Sequence, residues 1–312
     1  MNNLSRYNWK KLDRIILPNK KMWWMQTHSM VPTIENLCGS LIKVYFSGRD
    51  AKNISYIGWV LIDLDKPLEI VEFSKEPVLS PGELGCFDDN GVTPSCIIKN
   101  KGEIYLYYIG WNPGHNVRMH LFGGLAISKD NGKTFKRYSH APIIERCRVN
   151  PYLNTAPFVI KEQKNWLMYY VSGVEWIHKD LPRYNIQIAT SDDGLEWNRD
   201  GRVAIDFKDD NEMALARPWV IKDDDIYKMW FSCKGDVNKG DGYRLGYAES
   251  LNGLDWERMD DRVGITVSED GWDSEMIEYA AVVKYDEKYY MFYNGNNYGE
   301  EGIGLAVGTI DK

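Results

Sequence analysis

Acidic and basic side chains recur just ahead of short apolar runs in this chain. Asp88 and Asp89 lie in Phe87-Asp-Asp-Asn-Gly91, Glu212 and Arg217 in Glu212-Met-Ala-Leu-Ala-Arg217, and Glu275 and Glu278 in Trp272-Asp-Ser-Glu-Met-Ile-Glu278. His28 and Asn154 occupy corresponding segments, Gln26-Thr-His-Ser-Met30 and Asn150-Pro-Tyr-Leu-Asn154. Carboxylates gathered with one or two cations suit acid/base chemistry at a glycosidic bond. One carboxyl must keep its proton for the leaving oxygen while another stays ionised as base or nucleophile. Neighbouring like charges raise one pKa and a nearby Arg lowers another. The reading assigns Glu212 as general acid and Asp89 as base or nucleophile. Glu278, the third catalytic candidate, and Glu275 tune those groups or hold sugar hydroxyls. Asp88, His28, Asn154, Arg217 and Arg49, which follows the run Val44-Tyr-Phe-Ser-Gly48, complete the polar lining. Trp111 and Trp176, in loops, offer flat apolar faces on which a sugar ring stacks while its hydroxyls find acids and amides. A structural account competes, since Asp-Asp-Asn-Gly is also a turn and acids near strand starts tie loops to backbone amides.

These segments are positioned by a repeat. Pro32, Pro94, Pro157, Pro218 and Ala280 stand 62, 63, 61 and 62 residues apart, each opening an apolar run, and Gly48, Gly110, Gly173, Gly235 and Gly295 close the aromatic runs that follow. Each unit holds short aromatic and β-branched runs separated by Gly, Asn, Asp and Pro, the pattern of antiparallel strands. A third run spans Tyr56 to Ile62, Leu121 to Ser128, Ile186 to Ser191, Leu245 to Ser250 and Ile303 to Gly308. Three of these end in related turns, at Ser128, Ser191 and Ser250, with an Asp-Asn-Gly, Asp-Asp-Gly or Asn-Gly core and then an aromatic. The expectation is an all-β, five-bladed β-propeller with four antiparallel strands per blade, one domain over 1–312. The fifth unit lacks its outer strand at Lys312, and Trp9 to Leu17 resembles the missing piece, so the N-terminal strand is expected to close the last blade. In a propeller the loops entering the inner strands converge on one mouth, which gathers the charged segments.

Composition excludes several classes. A formal net charge of -7 in 312 residues argues against a nucleic-acid partner. Neither a secretory start nor a membrane span is apparent, and five scattered Cys read as reduced thiols of a cytoplasmic protein. His28 has no partner His at ligand spacing, so neither metal nor cofactor is expected. The expected partner is a carbohydrate or glycoconjugate.

The whole chain resembles the five-bladed propeller glycosidases, the clan of glycoside hydrolase families 43, 32 and 68 with the related family 130 phosphorylases. The likeness is carried by Phe87-Asp-Asp-Asn-Gly-Val-Thr-Pro94, Ala216-Arg-Pro-Trp219, Trp272-Asp-Ser-Glu-Met-Ile-Glu-Tyr279 and Tyr293-Asn-Gly-Asn-Asn-Tyr-Gly-Glu-Glu-Gly-Ile-Gly-Leu-Ala306. It also looks like the glycosidase-like proteins found among bacterial surface-polysaccharide genes. The resemblance implies hydrolysis or transfer at a glycosidic bond by carboxylates at the mouth. Two departures matter. The family 43 catalytic Asp of the first inner strand is replaced by His28-Ser-Met-Val-Pro32, and the family's Glu two places before a Pro is matched only by Glu278 before Ala280. The family 130 use of cations to hold phosphate is a role that Arg49 and Arg217 would imitate. A phosphorylase, a glycosyltransferase and a non-catalytic sugar-binding propeller remain as alternatives.

Overall fold

Alternating apolar runs and tight turns resolve into twenty strands in the computed structural model, which describes residues 6–162, 165–235 and 242–310. The start Met1–Ser5, read for a leader, and the end at Lys312 lie outside the described residues. Strand accounts for 55% of the structure and helix for 2%. No helix among the described residues is long and apolar enough to cross a membrane.

The strands form five antiparallel sets of four. β2 (Ser29–Asn36), β3 (Leu41–Arg49), β4 (Ser55–Asp63) and β5 (Ile70–Phe73) make the first, in that order. β6 (Val92–Asn100), β7 (Glu103–Pro113), β8 (Met119–Ser128) and β9 (Lys136–Arg137) make the second. The third is β10 (Asn154–Glu162), β11 (Asn165–His178), β12 (Leu181–Ser191) and β13 (Val203–Ile205). The fourth is β14 (Ala214–Asp223), β15 (Ile226–Lys234), β16 (Arg244–Ser250) and β17 (Glu257–Arg258). The last combines β18 (Glu278–Tyr285), β19 (Lys288–Asn294) and β20 (Ile303–Ile310) with β1 (Tyr7–Ile16), whose Tyr7 stands opposite Ile310 and Ile16 opposite Ile303. The N-terminal strand thus occupies the outer place of the last set, as its aromatic start suggests. Inner strands β2, β6, β10, β14 and β18 each lie against the next, and β18 lies against β2.

The sets are stitched by the turns that the Asn/Asp-Gly pattern marks. Ser128, Ser191 and Ser250 each accept the backbone N–H of the turn glycine, Gly132, Gly194 or Gly253, at 2.9 Å. Those glycines have φ of 76°, 79° and 72°, which side chains tolerate poorly. The preceding set then reaches across: Tyr107 donates to the Gly194 carbonyl and Tyr169 to that of Gly253, both at 2.7 Å. The aromatic after each turn packs edge-on against a tyrosine of the preceding set. Phe135 meets Tyr45, Trp197 meets Tyr107 and Trp256 meets Tyr169, with centroids 5.9, 6.3 and 5.4 Å apart.

Candidate functional site

The inner strands carry a local irregularity that builds the site. Immediately before four of the five anchors, Val31, Ala156, Arg217 and Tyr279 have φ of 56°, 49°, 52° and 55°. At each the pairing slips, between Met30 and Thr33, Thr155 and Phe158, Ala216 and Trp219, and Glu278 and Ala281. A bulge of this kind re-aims one side chain, and a left-handed non-glycine residue costs on the order of 1–3 kcal/mol unless its surroundings fix it. Neighbouring sets supply that fixing: the Val31 N–H donates to Asn294 Oδ1 and the Tyr279 N–H to Ser232 Oγ, both at 2.8 Å. All four residues, with Thr93 as counterpart in the second set, line one cavity of about 470 Å³.

The rim comes from two hairpins that outgrow their neighbours. The β7–β8 hairpin contributes Trp111 and, from its loop, Arg118, and the β11–β12 hairpin contributes Asp180, Leu181 and Pro182. The Arg118 N–H donates to the Lys179 carbonyl at 2.8 Å and ties the two together. Tyr184, Tyr243, Tyr279 and Tyr298 form an aromatic wall, the Tyr184 and Tyr243 hydroxyls 2.5 Å apart. A second cavity of about 460 Å³, further along the same strands, is lined mainly by aliphatic and aromatic side chains such as Ile34, Ile97, Phe158, Trp219 and Val282.

The first cavity is cationic. Arg49, Arg118, Arg217 and Lys234 line it, and Asp180 is its one carboxylate among the described lining residues. Arg217 is 2% exposed and donates from Nη2 to the Pro32 carbonyl at 2.7 Å and to Thr33 Oγ1 at 2.8 Å. Its Nε and Nη1 meet no acceptor. Burial lowers its pKa to about 10, so it remains charged at neutral pH. Burial also lowers those of Arg49 and Lys234, and Lys234 stands 4.5 Å over the Tyr243 ring.

Glu278 begins β18 beside this lining. It is fully buried, neither carboxyl oxygen has a hydrogen-bond partner, and burial holds its pKa well above the usual carboxylate range. Lys234 and the Tyr279 hydroxyl favour the charged form but do not offset that burial. Its counterparts in three other sets, Met30, Thr155 and Ala216, line the cavity, and all four wall tyrosines stand near enough that a charge on Glu278 would raise their pKa values. Glu278 is therefore a buried carboxyl biased toward its protonated form, one residue before Tyr279 of the cavity wall.

The sequence-derived set divides here. Arg49, Trp111 and Arg217 line the cavity, and Glu278 stands beside it. His28 lies against Arg49, Nε2 3.5 Å from Nη1, and burial and that cation lower its pKa to about 4, leaving it neutral. The expected Asp89 and Glu212 pair does not meet. Asp89 accepts from Asn112 on β7 at 2.7 Å and from the Gly85 N–H of its own loop at 2.9 Å. Glu212 accepts both arms of the Arg258 fork at 2.7 Å and the Lys208 N–H at 2.9 Å. Asp88 is held by Arg137 and the Tyr108 hydroxyl at 2.8 and 2.9 Å. Asn154 caps three loop carbonyls while accepting from Ser172. Trp176 packs on Leu153 and its neighbours, and Glu275 is exposed. None of these six lines the cavity.

Asp88 and Glu212 turn away from the cavity for one physical reason. Asp88, Asn150, Glu212 and Asp273 recur 62, 62 and 61 residues apart, and each turns into its own set. There they meet a strand-two tyrosine or an outer-strand cation: Tyr108 and Arg137, Tyr170, Arg258, and Tyr293 and Lys11. These repeating polar side chains tie each lead-in to its own set. Sequence reasoning missed Arg118, Lys234, Tyr184, Tyr243, Tyr279 and Tyr298. For Tyr279 the signal was present, since it stands in register with Val31, Thr93, Ala156 and Arg217, one place before each anchor. Among the described residues no group of three or more His, Cys, Asp and Glu is placed to hold a metal ion.

No protein-family model matches the chain. It is 37% identical over 301 residues to the uncharacterized protein Rv1502 of Mycobacterium tuberculosis strain H37Rv, covering 96% of this chain and 98% of that one. Among solved structures it resembles BT0996 in an RGII complex, with TM-score 0.76, 19% identity, and 97% and 92% of the two chains covered. It also resembles a thermostable family-43 glycoside hydrolase, with TM-score 0.66, 19% identity and 91% and 89% covered. A third likeness is to a family 130 structure described among mannoside phosphorylases and glycoside hydrolases targeting β-1,2 mannosidic linkages in Candida mannan, with TM-score 0.71, 14% identity and 98% and 95% covered. These likenesses show that the chain shares its fold with these glycoside hydrolases.

Proposed function

The chain belongs to the family of the Mycobacterium tuberculosis protein Rv1502, and from that premise and its cavity we propose a carbohydrate-active enzyme that cleaves or transfers a glycosyl unit on a single five-bladed propeller. The observation that carries this reading is Glu278, a buried, unpartnered carboxyl whose burial favours its protonated form, beside a cavity walled by tyrosines. A protonated carboxyl there supplies the proton that the departing glycosidic oxygen needs, and the Tyr and Trp111 faces stack against the sugar. The five unbridged cysteines accord with the cytoplasmic location proposed for it.

The scarcity of ionised carboxylates favours a second form of the same reading. Hydrolysis by the common two-carboxylate schemes requires a base or nucleophile in the cavity, and Asp180, at the exposed hairpin tip, is the one described carboxylate there. Transfer from an activated donor places less demand on a second carboxylate. Release of aryl alcohol from a panel of aryl glycosides, furanosides included, with and without inorganic phosphate and with alternative acceptors, tests both forms. Glu278→Gln should lower turnover by about 10²–10⁴-fold, whereas Asp89→Asn and Glu212→Gln should retain turnover per folded molecule. Full activity in Glu278→Gln would remove the acid from the scheme.

A further inference from the structure

The outer strand of each set ends its sheet and offers unpaired backbone groups to any strand that approaches, and most of these edges are blunted by charge. β1 carries Lys10, Lys11, Asp13 and Arg14, β9 is Lys136–Arg137 and β17 is Glu257–Arg258. In β13 only Val203 is exposed, beside Arg202. β5 departs from this rule. It ends the sheet of the first set, and all four of its residues, Ile70, Val71, Glu72 and Phe73, are exposed. Val71, 57% exposed, stands opposite no residue of β4, where the pairing steps from Glu72 to Ile70. Leu68, just ahead of the strand, is 53% exposed, and the half-exposed Trp23 donates to Glu76 at 3.0 Å just beyond it. A continuous apolar edge of this kind marks a surface that another chain covers.

The charges flanking this run say which chain. Lys66 and Glu69 precede it, Lys75 and Glu76 follow it, and all four are exposed. None of the four forms an ion pair within 4.0 Å among the described residues. We propose that two copies of this chain join through β5, antiparallel about a two-fold axis near Val71, covering Ile70, Val71 and Phe73 of both. In that alignment Lys66 faces Glu76 of the partner subunit, and Glu69 lies one diagonal step from Lys75 of the partner subunit. The order of charges is thus self-complementary, as a two-fold interface requires. A parallel alignment sets each charge beside its own copy. Leu84 and Leu251, more exposed still, are single side chains between Glu83 and Gly85 and between Ser250 and Asn252, and they offer no such run. β3 and β4 separate β5 from β2, whose Met30 and Val31 line the cavity, so the inference stands apart from the carbohydrate reading.

The test is sedimentation velocity of the full chain over a hundredfold range of concentration, which should show a monomer giving way to a dimer. Val71→Lys, at the most exposed position of the strand, and Phe73→Lys should each raise the dissociation constant about tenfold or more while the thermal transition of the monomer stays cooperative. Leu84→Lys, which adds the same charge elsewhere, should leave it unchanged. Glu69→Lys and Lys75→Glu each set like charges together and should weaken the dimer about threefold or more, since both ends of a two-fold interface feel the change. The two reversals combined should restore the wild-type constant, because each charge again meets its opposite. A chain that stays monomeric throughout the range would overturn the proposal, as would a dimer that folded Val71→Lys leaves as tight. Equal weakening by Leu84→Lys would overturn it by showing unspecific apolar association. A double reversal no tighter than either single one would overturn the antiparallel arrangement.

Discussion

Glu278 and Glu212 show how one residue type serves opposite ends. Glu212 is neutralised by the Arg258 fork, whereas Glu278 is buried with no donor on either oxygen. The difference has a measurable consequence for stability. The carboxyl of Glu278 binds its proton more tightly in the folded chain than its ordinary value of 4.5, so above that pH the unfolded chain holds fewer protons than the native one. Stability then falls as pH rises, until the folded carboxyl itself ionises. Glu278→Gln removes this dependence. Urea unfolding at pH 5 and pH 8 should find the variant no less stable than wild type at the lower pH and relatively more stable at the higher. A difference between the two proteins that does not change with pH would mean that Glu278 ionises normally.

Strands and turns explain why these side chains stay where they are. Each third-strand turn is clamped by its own serine and, in two cases, by a tyrosine hydroxyl from the preceding set, so neighbouring units share polar closure as well as apolar packing. Gly194 is the tighter of the two turns that a tyrosine hydroxyl clamps. A Cβ there would lie 2.8 Å from the Trp166 ring and 2.9 Å from the Tyr107 hydroxyl, at φ +79°. Gly194→Ala should cost about 2 kcal/mol or more, from left-handed strain together with overpacking. Denaturant titration reads this directly, and an unchanged midpoint would show that the turn relaxes freely. The inner-strand bulges work the other way, keeping their strain because the adjoining sets satisfy the displaced backbone N–H groups.

At the level of the molecule, β1 covers the free edge of β20 and closes an aromatic cluster. Tyr7 packs against Trp230, Tyr247 and Tyr289, and Trp9 Nε1 donates to the Val263 carbonyl at 2.8 Å. Burial of Tyr7, Trp9, Ile15 and Ile16 contributes about 1.5–3 kcal/mol for each large side chain, comparable in sum with the whole stability of a domain. Deleting residues 1–17 should therefore abolish cooperative unfolding, and a soluble truncated chain with a sharp thermal transition would contradict this account. The repeat length, the strand order within each unit, the turn types and the N-terminal closing strand were legible in the sequence, because all are set by local spacing: apolar alternation, Gly at positive φ, and an aromatic three places on. Glu278, Arg49, Trp111 and Arg217 were legible as candidates for the same reason, through their offset from the anchors. The direction of the acids was not. Asp88 and Glu212 share a lead-in with the true lining, yet they turn inward because cations on the outer strands, Arg137 and Arg258, stand 49 and 46 residues further on and wait there to pair. Only the tertiary structure brings those partners together, and only it gathers Arg118, Lys234 and the four tyrosines around one cavity, because long-range strand packing and the bulges decide which side chains face it.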